Sequence, residues 1–230
     1  MTTEHEIFDV IRAGDAERLR ALLAADPAVA GARNERGHSA VLIAQYRHKH
    51  DLVRLLLAAG PTLDVWDAAS VGDTARLAQI LDQDPSLVNA YSGDGFFPLG
   101  LAAFFGHTPA ARLLVERGAA VGHAARNPMK VQPLHSAVAG RHFDIVRLLV
   151  EAGAPMNAGQ QEGWTPLQGA VHNQDLDMVR YLLDHGADPK AQNEAGTSAI
   201  GLAADGGSAE MLKLLKTPPT AGEKGEGRGT

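Results

Sequence analysis

Four stretches of this chain superpose without gaps: SAVLIAQYRHKHDLVRLLLAAG (39–60), FPLGLAAFFGHTPAARLLVERG (97–118), QPLHSAVAGRHFDIVRLLVEAG (132–153) and TPLQGAVHNQDLDMVRYLLDHG (165–186). A fifth begins at SAIGLAADGGSAEMLKLLK (198–216). Each has a short apolar run, a polar break, an apolar pair, an arginine or lysine and a leucine-rich pair; the first four end on glycine. A short unit of this kind cannot bury its apolar face alone. Recurrence in register therefore demands a stack in which each copy covers the next.

Each unit reads as two antiparallel helices. Pro98, Pro133 and Pro166 open the first helix, where a missing N–H leaves nothing unpaired. Ile145, Val146, Leu148 and Leu149 show the helical spacing of a buried stripe in the second. Gly60, Gly118, Gly153 and Gly186 close it and suit a left-handed cap. Alanine and leucine dominate the apolar content and aromatics are 5% of the chain, which suits stacked helices better than a sheet of β-branched strands.

The segments TPLQGAV, QPLHSAV, FPLGLAAFFGH, FDIVRLLVEAGAPMNA and LDMVRYLLDHGADPKA resemble the ankyrin repeat family, and the resemblance spans residues 6–216. It implies a bacterial-type, mostly α-helical solenoid of about seven units, terminal caps included, with β-hairpin fingers along one edge. The unit boundaries expected are 6–33, 34–63, 64–91, 92–126, 127–159, 160–192 and 193–216. Residues 217–230, TPPTAGEKGEGRGT, hold only Pro, Gly, Thr, Ala and charge and are expected to form a disordered tail.

Departures from the family pattern carry further expectations. Residues 8–60 superpose on 66–118 at an offset of 58, so the first half looks like a duplicated pair of one short and one full unit. The short units, first and third, have a missing or reduced finger. Only PTLDVWD separates Gly60 from Ala68, roughly nine residues fewer than a full repeat needs. The third unit should therefore leave a gap in the row of fingers. Gly118 and Gly153 are 35 apart, whereas Gly153 and Gly186 are 33 apart, so the loop AAVGHAARNPMK is expanded. The family's first-helix histidine stands only at His135. Leu42, Gly100, Gln168 and Gly201 replace it, and the hairpin-to-helix hydrogen bonds it implies lose their donor there.

Composition narrows the function classes. A net charge of −6 argues against nucleic acid as a partner. The absence of cysteine removes disulfides, thiolate metal sites and a cysteine nucleophile. The start MTTEHEIFDVIRAG lacks a basic end followed by an apolar run, and no apolar segment is long enough to span a bilayer, so a cytoplasmic protein without membrane contact is expected. None of the ten histidines forms an i, i+4 pair with a third ligand; His107 and His135 match structural positions of the family. Ser136 beside His135 is mere adjacency on a helix, and GDGFFPLG lacks a phosphate-loop fingerprint. No catalytic residue, cofactor or metal is expected. Arg54, Arg112, Arg147, Arg180 and Lys213 recur at one position of the second helix and read as a solvated outer face.

The resemblance implies that a protein partner meets the finger tips and the inner ends of the first helices, on the concave face. By position, the residues expected to bind are Tyr46, Arg47, Phe96, Phe104, Phe105, Met129, Trp164, His172 and Asn173. Five of the eleven Phe, Tyr and Trp residues fall in this set, a concentration typical of interfaces. The opposing reading is that some of them fill the space of the missing third finger. Phe97 replaces the helix-opening threonine and is expected to be buried. The expected function is a non-catalytic protein-binding module. The alternative is a self-associating protein, closing a homodimer through the same aromatics, or a regulatory one that masks or chaperones a partner enzyme.

Overall fold

The computed structural model describes residues 3–217; the expected tail from Pro218 onward lies outside the described residues. The chain divides into an N-terminal half (1–120 with 125–127) and a C-terminal half (121–124 with the residues from 128), taken separately below.

The N-terminal half holds α1 (Thr3–Ala13), α2 (Ala16–Ala25), α3 (Ala40–Tyr46), α4 (His50–Ala58), α5 (Val65–Val71), α6 (Thr74–Gln83), α7 (Pro98–Phe105) and α8 (Thr108–Glu116). These form antiparallel pairs whose first members α1, α3, α5 and α7 lie side by side, each against the next. Short polar residues start several of them. Asp15 and Asp73 accept the backbone N–H of Arg18 and Arg76, both at 2.9 Å, and Ser39 accepts that of Leu42 at 2.9 Å. Leu19, Leu52, Leu56, Leu77, Leu81 and Leu114 of the second helices are wholly buried. Each such leucine contributes roughly 1.5–3 kcal/mol over an exposed one. Phe97 is buried as expected and meets Tyr91 edge-on at 5.7 Å.

The 58-residue duplication is visible in contacts. Ideal Cβ atoms on Gly14 and Gly72 would stand 2.9 Å from Lys49 Nζ and 2.5 Å from His107 Nδ1, residues that are themselves 58 apart. His107 Nε2 lies 2.8 Å from the carbonyl of Ser70, a structural role in keeping with the sequence.

The C-terminal half holds α9 (Pro133–Ala139), α10 (Phe143–Glu151), α11 (Pro166–His172), α12 (Leu176–Asp184), α13 (Ala199–Asp205) and α14 (Ala209–Lys216). Here α9, α11 and α13 lie side by side. Gly60, Gly118, Gly153 and Gly186 have φ of 74°, 86°, 84° and 96°, the left-handed conformation expected where the second helices of both halves end.

Four hairpin tips share one pattern, in which a backbone N–H bonds the carbonyl four residues on. The bonds run from Asn34 to His38 (2.9 Å), Ser92 to Phe96 (2.7 Å), Gln160 to Trp164 (2.9 Å) and Asn193 to Thr197 (3.0 Å). The third unit passes directly from Gly60 to the helix cap at Asp64. The gap expected there is closed: an ideal Cβ on Gly93 would stand 2.3 Å from the carbonyl oxygen of Arg36. With no hairpin on the third unit, the tips of the second and fourth units meet, and only a residue without a side chain fits at that contact.

Below this contact, Asp64 and Asp67 cap α5 reciprocally. Arg33 reaches across to pair with both, at 2.8 and 3.2 Å, and the Ser39 hydroxyl donates to Asp67. Burial, reinforced by the charge of Asp64, pushes the Asp67 carboxyl up to about 6 against the opposing pull of Ser39 and Arg33.

One expectation fails at Gln168. His135 Nε2 lies 3.0 and 3.1 Å from the carbonyls of Ala158 and Trp164. Gln168 Nε2 donates to the carbonyls of Ala191 (3.1 Å) and Thr197 (2.8 Å), the corresponding groups one unit later. An amide has the reach and the N–H to replace an imidazole here, so the bonds keep a donor.

Candidate partner-binding surface

In the N-terminal half the residues singled out by sequence come together. Tyr46 at the end of α3 lies 6.3 Å from Phe96 at the fourth-unit hairpin and 6.0 Å from Phe105 at the end of α7, between ring centroids. Phe105 meets Phe104 edge-on at 5.1 Å. The rings thus form a ladder running from Phe96 through Tyr46 and Phe105 to Phe104.

Exposure differs between Phe104 and the other three rings. Phe96, Tyr46 and Phe105 are half-buried, whereas Phe104 is 38% exposed. Tyr46, Phe96 and Phe105 pack among themselves, and Phe104 presents more of its ring at the surface. Arg47, the residue after α3, is exposed beside Tyr46.

A polar network anchors the ladder. The Tyr46 hydroxyl donates to Asp94 Oδ2 at 2.9 Å, Ser92 Oγ donates to Asp94 Oδ1 at 2.5 Å, and His38 Nε2 lies 3.5 Å from Asp94 Oδ2. Burial, then the Asp94 charge and this hydrogen bond, push the Tyr46 phenol strongly upward, so it remains a neutral donor. The link of Asp94 and His38 to Tyr46 has no sequence signal.

In the C-terminal half Trp164 and His172 face each other edge-on at 6.1 Å beside a groove of about 300 Å³. Met129 is 43% exposed and its carbonyl accepts the N–H of Gln161 at 2.8 Å. Asn173 is more structural than its position implied. Its side chain donates to the carbonyl of Val138 at 2.8 Å, and its own carbonyl accepts from Arg141.

A sequence profile of ankyrin repeats (three copies) matches residues 65–160 and 152–222, more than half of the chain. The chain belongs to the ankyrin repeat family. Ankyrin repeat and SAM domain-containing protein 6 from Rattus norvegicus and the protein of the same name from Mus musculus are each 33% identical to it over 108 residues. Those matches cover 44% of this chain and 11% of the relatives, so the ankyrin chain spans about a tenth of their length.

Ankyrin repeats are generally protein–protein interaction modules and typically non-catalytic. Among the described residues of this ankyrin chain no group of three or more His, Asp or Glu side chains is placed to hold a metal ion. No helix among them is long and apolar enough to cross a membrane. Burial lowers the proton affinity of His135 to about 4 despite two carbonyl partners. An imidazole neutral at pH 7 and occupied by backbone holds the ankyrin hairpin in place and has no free donor for substrate.

Sequence reasoning left out part of this ankyrin surface. Phe8, Asp9, Arg12 and Ile43 border a cleft with Arg36, Tyr46 and Arg47. The available signal was Phe8 itself, since the offset of 58 pairs it with Trp66, another aromatic at the start of a short unit.

Proposed function

We propose that this chain is a non-catalytic binding module that holds a protein partner on the concave side of its first helices. Phe104 carries the reading. It is a large apolar ring, 38% exposed, held edge-on against Phe105 of a ladder of half-buried rings. Single exposed apolar residues are ordinary, but a ring held by Phe105 and, through it, by Tyr46 loses little freedom when it is covered. Arg47 beside the ladder, and Met129, Trp164 and His172 in the C-terminal half, complete the set of contact residues, with Asn173 mainly positioning its own helix pair. The partner is a protein, with no cofactor, nucleic acid or membrane involved, and the absence of cysteine supports a cytoplasmic site of action.

The test is an affinity pull-down from the native host's lysate, with Phe104→Ala/Phe105→Ala as comparison. Proteins captured by the natural chain should be lost from the variant, whose helical content stays in place although its melting midpoint falls with loss of the half-buried Phe105 ring. An unchanged set of captured proteins would overturn this site. Concentration-dependent sedimentation separates a second copy of the chain from a different partner.

A further inference from the structure

We propose that the cleft beside Tyr46 seats an acidic peptide segment of the partner; this rests on the protein-binding reading above. The cleft has a volume of about 920 Å³ and lies among α1, the second-unit hairpin and α3, wholly within the N-terminal half. Phe8, Ile43 and Tyr46 give it apolar surface, and four arginines line it.

The four arginines are not equally available. Arg12 is paired with Asp9 on the same helix at 2.5 Å. Arg33 is committed to Asp64 and Asp67. Arg36 and Arg47 are exposed, and no carboxylate among the described residues lies within ion-pair distance of either. One lining carboxylate, Glu35, remains against these two cations once Asp9 is counted with Arg12. His5 and the neutral Tyr46 phenol complete the titratable lining.

This local excess of positive charge occurs in a chain of net charge −6. A cationic cleft in an acidic protein selects its occupant by charge. Most of the surface repels an acidic segment, and this cleft attracts it. Guanidinium groups bind carboxylates through two parallel hydrogen bonds, which fixes orientation as well as charge. The matching segment carries two carboxylates for Arg36 and Arg47 and an apolar side chain for the Tyr46 and Ile43 surface. Nucleic acid offers the same charge, but its phosphates need a far larger cationic footprint than two free arginines.

The test uses the full chain against a displayed library of random peptides, with the natural protein and the Arg36→Glu/Arg47→Glu variant selected in parallel. Both arginines are exposed, so the variant should keep its melting curve. The natural protein should enrich peptides rich in Asp and Glu, with affinity that falls as salt rises. The variant should lose that bias and bind the enriched peptides about tenfold or more weakly. Enriched peptides without acidic bias, lost instead in the Phe104→Ala/Phe105→Ala variant, would overturn this inference alone. A library yielding no binder would count against both readings. A single-stranded oligonucleotide that displaces the enriched peptides would assign the cleft to nucleic acid and overturn the proposal.

Discussion

The Tyr46 hydroxyl donates to Asp94 Oδ2 at 2.9 Å and so ties together two hairpin-bearing units with a short one between them. Tyr46 is half-buried, so removing the hydroxyl leaves the carboxylate short of a donor while the ring contacts persist. Tyr46→Phe should therefore cost about 1–2 kcal/mol in urea denaturation. Tyr46→Ala should cost more, because it also removes the ring between Phe96 and Phe105. Hydrogen exchange should then quicken at Asn34 and Ser92, whose N–H groups close the two hairpin tips.

The contact between those tips leaves no space for a methyl group. Gly93→Ala would place Cβ 2.3 Å from the Arg36 carbonyl oxygen and force the hairpins apart, at a cost of about 1–3 kcal/mol. Gly31→Ala is the control, since an added Cβ there meets nothing within 4 Å. Comparison of the two melting temperatures checks the prediction; equal values would mean that the hairpins do not bear on each other in solution.

At the start of α9, Gln132 occupies the cap position without a side-chain hydrogen bond, and Gln132 Oε1 and His135 Nδ1 are buried without partners. One unit later Thr165 caps α11, accepting the Gln168 N–H at 3.3 Å. Gln132→Thr should restore the missing cap and stabilise the chain by about 1 kcal/mol, read as a higher urea midpoint.

His135 makes stability depend on pH. Its affinity for a proton falls from the usual 6.5 of an imidazole to about 4 on folding, so the unfolded chain binds more protons between those values. Its contribution, about 3 kcal/mol, is complete above pH 6.5 and lost as pH falls through 4. Asp67 has the opposite sign: its carboxyl is raised to about 6, so its contribution is present below the usual carboxylate range and lost as pH rises through 6. His135→Gln isolates the first effect, because Asp67 is common to both proteins and Gln168 shows that an amide can make both carbonyl bonds. Urea midpoints of the variant should fall less than those of the natural chain between pH 6.5 and 4.

The helix pairs were legible because Pro98, Pro133 and Pro166 and the closing glycines are local signals whose cause lies within a few residues. The aromatic surface was legible only as positions on a repeat. The short PTLDVWD link showed that the third unit lacks a hairpin, but not which rings would then meet, because the Tyr46–Phe105 contact joins residues nearly sixty positions apart. Gln168 was misread for a related reason: the family pattern names an imidazole, whereas the physical requirement is one N–H of sufficient reach. The Arg33–Asp64–Asp67 group was hidden because it joins a hairpin base to a cap in the next unit, and neither end carries a motif.

The duplication at an offset of 58 has a consequence for how such a chain lengthens. Tyr46 and Phe104 are equivalent positions, as are Arg47 and Phe105. Tyr46 is roofed by Phe96 and Phe105 of the block that follows it, whereas Arg47 stays exposed. The roof over Tyr46 thus belongs to a building step of two repeats, and growth by a single repeat would not reproduce it.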